Sequence, residues 1–393
     1  MKKRSKNIFL FVESSHGFGR DVLRGVAQYA ARKPDWVVQF EGRGLYEANL
    51  EALESRQWDG MIVRSFNEQT YQRLTAKKIP MVELFHQACL GKPEVSNDEA
   101  LTGKAVVSHF YELGLRRFAF YSFGSSWWLK ERSRCFAEAV QQRGLPLSVF
   151  AEAPHLAPVT SPILSPSREA MVLTGWLQHL EKPVGLFAGT DPMALRVINA
   201  CREANIRIPE DIAVCGSDND SLFCALASPS LTSVDLSGQR VGWEAMRLLD
   251  IKMTCGKLPV LPILIPPLEV VARDSTDFIP ADDPDAALAI RYIRANATQG
   301  IRVIDVLKRY DLSSRTLQRM IQRHLGRTPE QEILRVRFLK AKQLLEETFL
   351  SLEQIALQSG FASSEYFVKA FKKQFGKTPL QYRKEELDKK NSL

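Results

Sequence analysis

Ser313–Pro329 reads SSRTLQRMIQRHLGRTP, and Ser363–Pro379, 50 residues further on, reads SSEYFVKAFKKQFGKTP. Each copy opens on a serine suited to capping a helix with its hydroxyl. Leu317, Ile321 and Leu325 recur at helical spacing, matched by Phe367, Phe371 and Phe375. Gly326 and Gly376 then stop the helix, and Thr-Pro starts another. Thr328 with Gln331, and Thr378 with Gln381, have capping-box spacing. A shorter helix precedes each copy. Val303–Arg309 leads into Tyr310–Asp311–Leu312, and Leu352–Gln358 leads into Ser359–Gly360–Phe361, with Ser351 and Gln354 as a further capping box. Two short helices across a tight turn make a helix-turn-helix. This chain carries the unit twice.

The polar faces of the two second helices face outward. The first offers Arg315, Gln318, Arg319, Gln322 and Arg323; the second offers Ser364, Glu365, Val368, Lys369, Lys372 and Lys373. Arginine can bond guanine in two places, glutamine can do the same with adenine, and lysine neutralises phosphate. Charge placement agrees. Residues 285–393 hold 21 Lys+Arg against 12 Asp+Glu, or +9, so the remainder of the net +8 chain sums to −1. A basic module beside a near-neutral partner is the footprint expected of a double-stranded DNA binder. Solvated basic hairpins would explain the charge alone, but not its agreement with repeat and turn pattern. Pro329–Thr348, between the units, reads as one helix of about 30 Å. Neighbouring major-groove faces lie about 34 Å apart, so such a rod could set both helices in successive grooves.

Upstream the pattern changes. Short apolar runs at Ile8–Val12, Gly60–Val63, Pro80–Leu84, Phe118–Tyr121, Val184–Ala188 and Ile212–Cys215 read as buried strands. Helical stretches at Asp21–Ala31, Leu101–Leu113, Glu131–Arg143, Met193–Ala204 and Arg240–Leu249 alternate with them. Alternation of this kind implies parallel sheets covered on both faces, and its length suits two α/β lobes. Ala153–Ser167, rich in Pro and Ser, reads as a surface loop. Arg273–Pro284 (RDSTDFIPADDP) is the boundary candidate, with Asp283 and Pro284 as cap and first residue of the next helix. The expected domains are 1–273, a linker 274–284, and an all-α domain 285–393 with two helix-turn-helix units.

Several classes are disfavoured. No run of 18 apolar residues suggests a membrane span. The basic start and IFLFV mimic a signal peptide, but the run is short and no cleavage site follows, so a cytoplasmic location is expected. Six scattered cysteines lack a CxxC pair and the histidines lack HExxH, which points to no metal or other cofactor and to buried apolar cysteines.

The C-terminal stretches TLQRMI and IALQSGFASSEYFVKAFKKQFGKTPLQYR resemble the AraC/XylS family of transcription regulators over roughly residues 285–387. The resemblance implies a seven-helix domain and base readers at Arg315, Gln318, Arg319, Ser364, Glu365 and Lys369. One departure stands out. The family usually has Gly in the first turn where this chain has Asp311, a residue that tolerates left-handed backbone better than most. Residues 7–272 resemble the periplasmic-binding-protein fold of LacI-type sensors, through SNDEALTGKAVVSHFYELGLRRFAFY, AGTDPMALRVINACREANIRIPEDIAVCGSDND and PSLTSVDLSGQRVGWEAMRLL.

In such a two-lobed sensor, ligands sit beyond the C-terminal strand ends. Arg20, Asp98, Arg132, Asp191, Asp218 and Asn219 are the polar candidates there, with Phe18, Trp127 and Trp128 as an apolar wall. The LacI-type resemblance implies that Asp98, Arg132 and Asp218 hold sugar hydroxyls, because carboxylates and guanidinium forks each bond two neighbouring hydroxyls. Asp98 and Asp191 could instead cap helices, and Arg20 and Arg132 could be solvated. Where the family often has Asn before Asp191, this chain has Thr190. The implied protein is a homodimeric, sugar-responsive transcription activator working with RNA polymerase, its effector D-xylose or a related sugar. An effector-independent DNA-binding regulator is the alternative. A sugar-processing enzyme is disfavoured, since no nucleophile, base and orienting group share recognisable spacing.

Overall fold

The computed structural model describes residues 5–40, 42, 44, 57–64, 68–84, 95–123, 126–150, 166–255, 262–278, 284–348 and 350–384, the side chains at 68, 69, 71, 166–169, 255, 284, 346 and 347 aside. The chain divides into two compact units, the first running to Phe278 and the second starting at Ile279. The first thus continues past the boundary expected at 273. Ser275 explains why: fully buried, it donates from its backbone N–H to Ser230 O at 2.8 Å and from its hydroxyl to Val214 O at 2.6 Å. The loop expected at Ala153–Ser167 lies outside the described residues up to 165, and Pro166–His179 is a helix. Asp283 also lies outside them.

In the first unit the strands are β1 (Lys6–Phe11), β2 (Trp36–Phe40), β3 (Gly60–Val63), β4 (Met81–Glu83), β5 (Val95–Asn97), β6 (Phe118–Tyr121), β7 (Leu147–Val149), β8 (Val184–Ala188), β9 (Ile212–Ser217), β10 (Thr232–Val234), β11 (Ile263–Ile265) and β12 (Val270–Val271). β3, β6, β8 and β9 are buried along their whole length, as apolar runs covered by helices on both faces must be. One lobe is built on the parallel sheet β2-β1-β3-β4, which a bridge from Leu84 to Val95 extends to the parallel pair β5-β11. The other holds β12-β10-β9-β8-β6-β7, parallel except where β12 meets β10. Buried aliphatic side chains such as Leu186, Val197, Ile198 and Val214 fill its core.

Among the described residues, the chain crosses between lobes three times, at Asn97–Asp98, Asp235–Ser237 and Pro266–Glu269. The crossings are bonded to one another. Asn97 donates its side-chain amide to Leu236 O at 2.6 Å, and Ser237 Oγ donates to Pro266 O at 2.9 Å. The amides of Asp98 and Leu268 reach Ile265 O at 2.8 Å and Asp235 O at 2.9 Å.

In the first lobe, helix Gly17–Ala30 packs on helix Gly238–Cys255 with backbones in contact. A Cβ at Gly25 would lie 1.8 Å from Gln239 O, and one at Gly242 would lie 1.9 Å from Val22 O. Backbone carbonyls cannot move aside as a side chain can. Gly25→Ala is therefore expected to lower the melting temperature, although alanine is the better helix former by about 1 kcal/mol. Thermal unfolding of the variant checks this, and an unchanged or raised midpoint would contradict it.

The described part of the second unit is helical. Its helices are Pro284–Asn296, Val303–Tyr310, Ser314–Leu325, Pro329–Glu347, Leu352–Gln358 and Ser364–Phe375, and residues 379–384 are helical too. Two small cores share the Pro329–Glu347 helix. Ile333 packs with Ile293, Val306, Leu317 and Ile321. Phe338, Ala341 and Leu345 pack with Ile355, Phe361, Phe367 and Phe371. The central helix opens with a capping box in which Thr328 and Gln331 bond reciprocally at 2.8 and 3.2 Å. Its 19 residues span about 28 Å.

Cys135, Cys201, Cys215 and Cys224 are buried free thiols; Cys89 and the side chain of Cys255 lie outside the described residues. Among the described residues, no helix is long and apolar enough to cross a membrane.

Candidate functional site

Both helix-turn-helix units form as the repeat required. Ser313 Oγ caps its helix by accepting from Thr316 N at 3.1 Å, and Ser363 Oγ accepts from Tyr366 N at 3.2 Å. Gly326 and Gly376 end the two helices at φ 69° and 73°. Asp311 adopts φ 51° at the first turn, so the aspartate does hold the left-handed backbone. The second turn uses Gly360 at φ 78°, where a Cβ would meet Ala297 O at 2.5 Å. The two turns differ by one residue: the left-handed position lies two residues before the first cap and three before the second.

Burial fixes which face each helix offers. Leu317, Met320, Ile321 and Leu325 point inward, and Arg315, Gln318, Arg319, Gln322 and Arg323 are all exposed. In the second unit Phe367 and Phe371 are buried, whereas Glu365, Lys369, Lys372 and Lys373 are exposed and Ser364 and Val368 are half-buried. Glu365 is held below the usual carboxylate range by hydrogen bonds from its own backbone N–H and the Ser363 hydroxyl.

Beyond the strand ends of the first unit, charged side chains of both lobes come together. Arg132, on helix Trp127–Gln141, is only 2 % exposed. Its Nε and Nη2 clamp Glu99 at 2.8 and 2.7 Å, while Nη1 donates to Gly189 O at 2.6 Å and Ser217 Oγ at 2.7 Å. The guanidinium lies 5.1 Å from the Trp128 ring centre. Burial opposes the charge on Arg132, but Glu99 outweighs it and raises the pKa. Asp218 follows β9 in left-handed backbone, φ 105°. Burial lifts its carboxyl to about 7, with Arg132 and Arg64 pulling down and Glu99 and Asp220 pushing up.

Arg20 joins the lobes. It donates to Asp220 Oδ2 at 2.7 Å and to the carbonyls of Ser14 and Ser15 at 3.0 Å. Phe18 is buried under the Arg64 guanidinium, 4.9 Å from the ring centre. Trp128 is buried and Trp127 half-buried.

Other candidates are engaged within the protein. Asp98 Oδ1 caps helix Glu99–Glu112 through Leu101 N at 2.9 Å. Asp191 is fully buried and does not cap its helix; Thr190 does. Its carboxyl instead accepts from Ser233 Oγ at 2.5 Å and Asp220 N at 2.7 Å, pinning the loop that carries Asp218. Burial, reinforced by Asp218, pushes its pKa well up. Asn219 turns away to Asp235 Oδ2 at 3.3 Å and to Arg273 at 2.8 Å.

Sequence reasoning missed Glu13 and Arg64. They follow β1 and β3, are 1 % and 8 % exposed, and form an ion pair. Burial brings the Arg64 guanidinium down to about 10, with Asp218 opposing. The strand-end rule that picks out Asp218 also reaches Arg64, which directly follows the buried run GMIV.

Residues 107–276 match the model of a periplasmic binding protein-like domain, and residues 306–385 match a helix-turn-helix domain. The chain thus joins a periplasmic-binding-like domain to a helix-turn-helix domain, the combination of a DNA-binding transcription regulator. It is homologous along its length to the xylose operon regulatory proteins. That of Haemophilus influenzae is 29% identical over 392 residues, 98% of this chain and 99% of the relative. That of Escherichia coli K12 is 29% identical over 395 residues, 98% of each. A solved structure titled as the xylose-binding transcription activator xylR aligns with a TM-score of 0.62 at 29% identity, covering 98% of this chain and 99% of the other. The families and relatives matched are regulators of transcription, not enzymes.

Proposed function

We propose that the site between the lobes takes a monosaccharide, D-xylose or a close relative, and that its closure sets the affinity of the two recognition helices for an operator. The observation that carries this is Asp218, a half-buried carboxylate held in left-handed backbone within electrostatic reach of Arg64, at a strand end of one lobe, and Arg132, on a helix of the other. A group kept at that cost in burial and backbone strain is a functional feature. It can accept from two neighbouring hydroxyls, and a remaining N–H of Arg132 can donate to a third, because four of its five are in use.

The relatives named for xylose motivate the choice of sugar. On this reading the protein is cytoplasmic and homodimeric, and two chains present four helix-turn-helix units to a repeated site. Sugar shifts the open and closed populations only through its different affinity for them. Activation through RNA polymerase completes the proposal. Calorimetry across monosaccharides tests the effector, and footprinting with and without the bound sugar tests the coupling. A footprint unchanged by every sugar that binds would favour an effector-independent regulator.

Arg315, Gln318, Arg319, Ser364, Glu365 and Lys369 are proposed to read bases, and Gln322, Arg323, Lys372 and Lys373 to hold the duplex. Arg319→Ala is expected to weaken operator binding by about 1–3 kcal/mol and to relax preference at one base position. Lys373→Ala should weaken binding to every sequence and reduce the salt slope by about one. Equal losses on operator and scrambled DNA for Arg319→Ala would place that side chain on phosphate instead.

A further inference from the structure

The effector reading leaves open how the site tells one sugar from another, and the charge inventory narrows it. The guanidiniums of Arg20, Arg64 and Arg132 are each matched to a carboxylate, Asp220, Glu13 and Glu99 respectively. Asp218 is a fourth carboxylate beside them. Among the described residues, an anionic ligand would therefore find these three guanidinium charges each already balanced by a carboxylate, with Asp218 beside them.

Glu13 adds a directional requirement. Its Oε1 accepts from Arg64, while Oε2 is buried with no hydrogen-bond partner among the described residues. The helix start lies close over this carboxylate: a Cβ at Gly19 would come within 2.6 Å of Oε1 and 2.2 Å of the Glu13 carbonyl oxygen. Asn97 Oδ1, at the end of β5, is a second buried acceptor without a partner. Glu13 Oε2 and Asn97 Oδ1 are both acceptors. A buried acceptor left unpaired is costly, and a ligand supplying a donor would recover that cost.

Resting on the effector reading above, we infer that Glu13, positioned by Arg64, is a specificity-determining residue that accepts a hydroxyl from an uncharged sugar and disfavours sugar phosphates. A hydroxyl brings the donor that Oε2 lacks. A phosphate brings further acceptors and negative charge into a site whose three guanidinium charges are already balanced.

Calorimetry on the full chain tests this with D-xylose, D-ribose and D-glucose, each paired with its terminal phosphate. The wild type should bind at least one neutral sugar, and bind its phosphate about 100-fold more weakly. Glu13→Gln keeps an oxygen for Arg64 and replaces the vacant acceptor with an N–H donor. It should weaken the neutral sugar about 30-fold and narrow the gap to its phosphate about tenfold. Binding by Glu13→Gln within twofold of wild type would overturn the inference, as would a phosphate bound as tightly as its parent sugar. The wild-type pairs decide the matter even if the variant does not fold. If a neutral sugar binds and Glu13→Gln is silent, the inference fails alone. If no neutral sugar binds the wild type, it fails together with the effector reading.

Discussion

Glu332→Ala is expected to unfold the first half of the DNA-binding unit under conditions where the wild type is stable. Glu332 is fully buried on the central helix. It accepts from Arg294 Nε at 2.9 Å and from Arg335 at 2.8 and 2.9 Å, and Arg327 lies 3.5 Å away. Burial alone would raise its pKa. Arg335 and Arg294 outweigh burial and bring it to about 2, against an ordinary value of 4.5. A carboxyl lowered on folding stabilises the fold above its unfolded pKa. That contribution, about 3 kcal/mol, is lost as pH falls from 4.5 toward 2. Removing the carboxylate also leaves a cluster of guanidiniums without its shared counter-charge, which typically costs about 3–5 kcal/mol. Denaturant melts of wild type and variant across pH provide the check. The gap between them should shrink as the wild-type carboxyl protonates, and a gap constant from pH 7 to 2 would assign the loss to packing instead.

Asp218→Asn should separate stability from sensing. The folded carboxyl titrates at about 7, above the unfolded value of about 3.9. Between those values the folded state holds the proton that the unfolded state releases. This group's contribution to stability therefore falls as pH rises from about 4 to 7 and stays low beyond. Asparagine cannot ionise, so the variant should gain melting temperature relative to wild type from pH 5 to pH 8. Its effector affinity should fall about 100-fold, the loss expected for hydrogen bonds to a charged group. An Asp218→Asn protein that binds sugar normally would remove Asp218 from the site.

The sequence made the recognition helices legible because local rules agree along one stretch: serine cap, apolar face, glycine stop. The long buried strands were legible for a similar reason, since GMIV, FAFY and VGLFA leave no polar face. β5, β10 and β11 were not, because three residues carry no period. Asp218 could be placed at a strand end. The fates of Asp191 and Asn219 could not, since their partners Ser233 and Arg273 lie 42 and 54 positions away and only tertiary packing brings them together. Arg132 reads as a plausible surface residue on its helix; its burial depends on Glu99 arriving from another helix.

The three crossings tied together by Asn97, Leu236, Ser237 and Pro266 have a mechanical consequence. A single strap would let the lobes swivel in any direction. Three straps laced side by side resist twist and shear and leave one easy bend, as on a door. Opening and shutting of the lobes then follow a single coordinate.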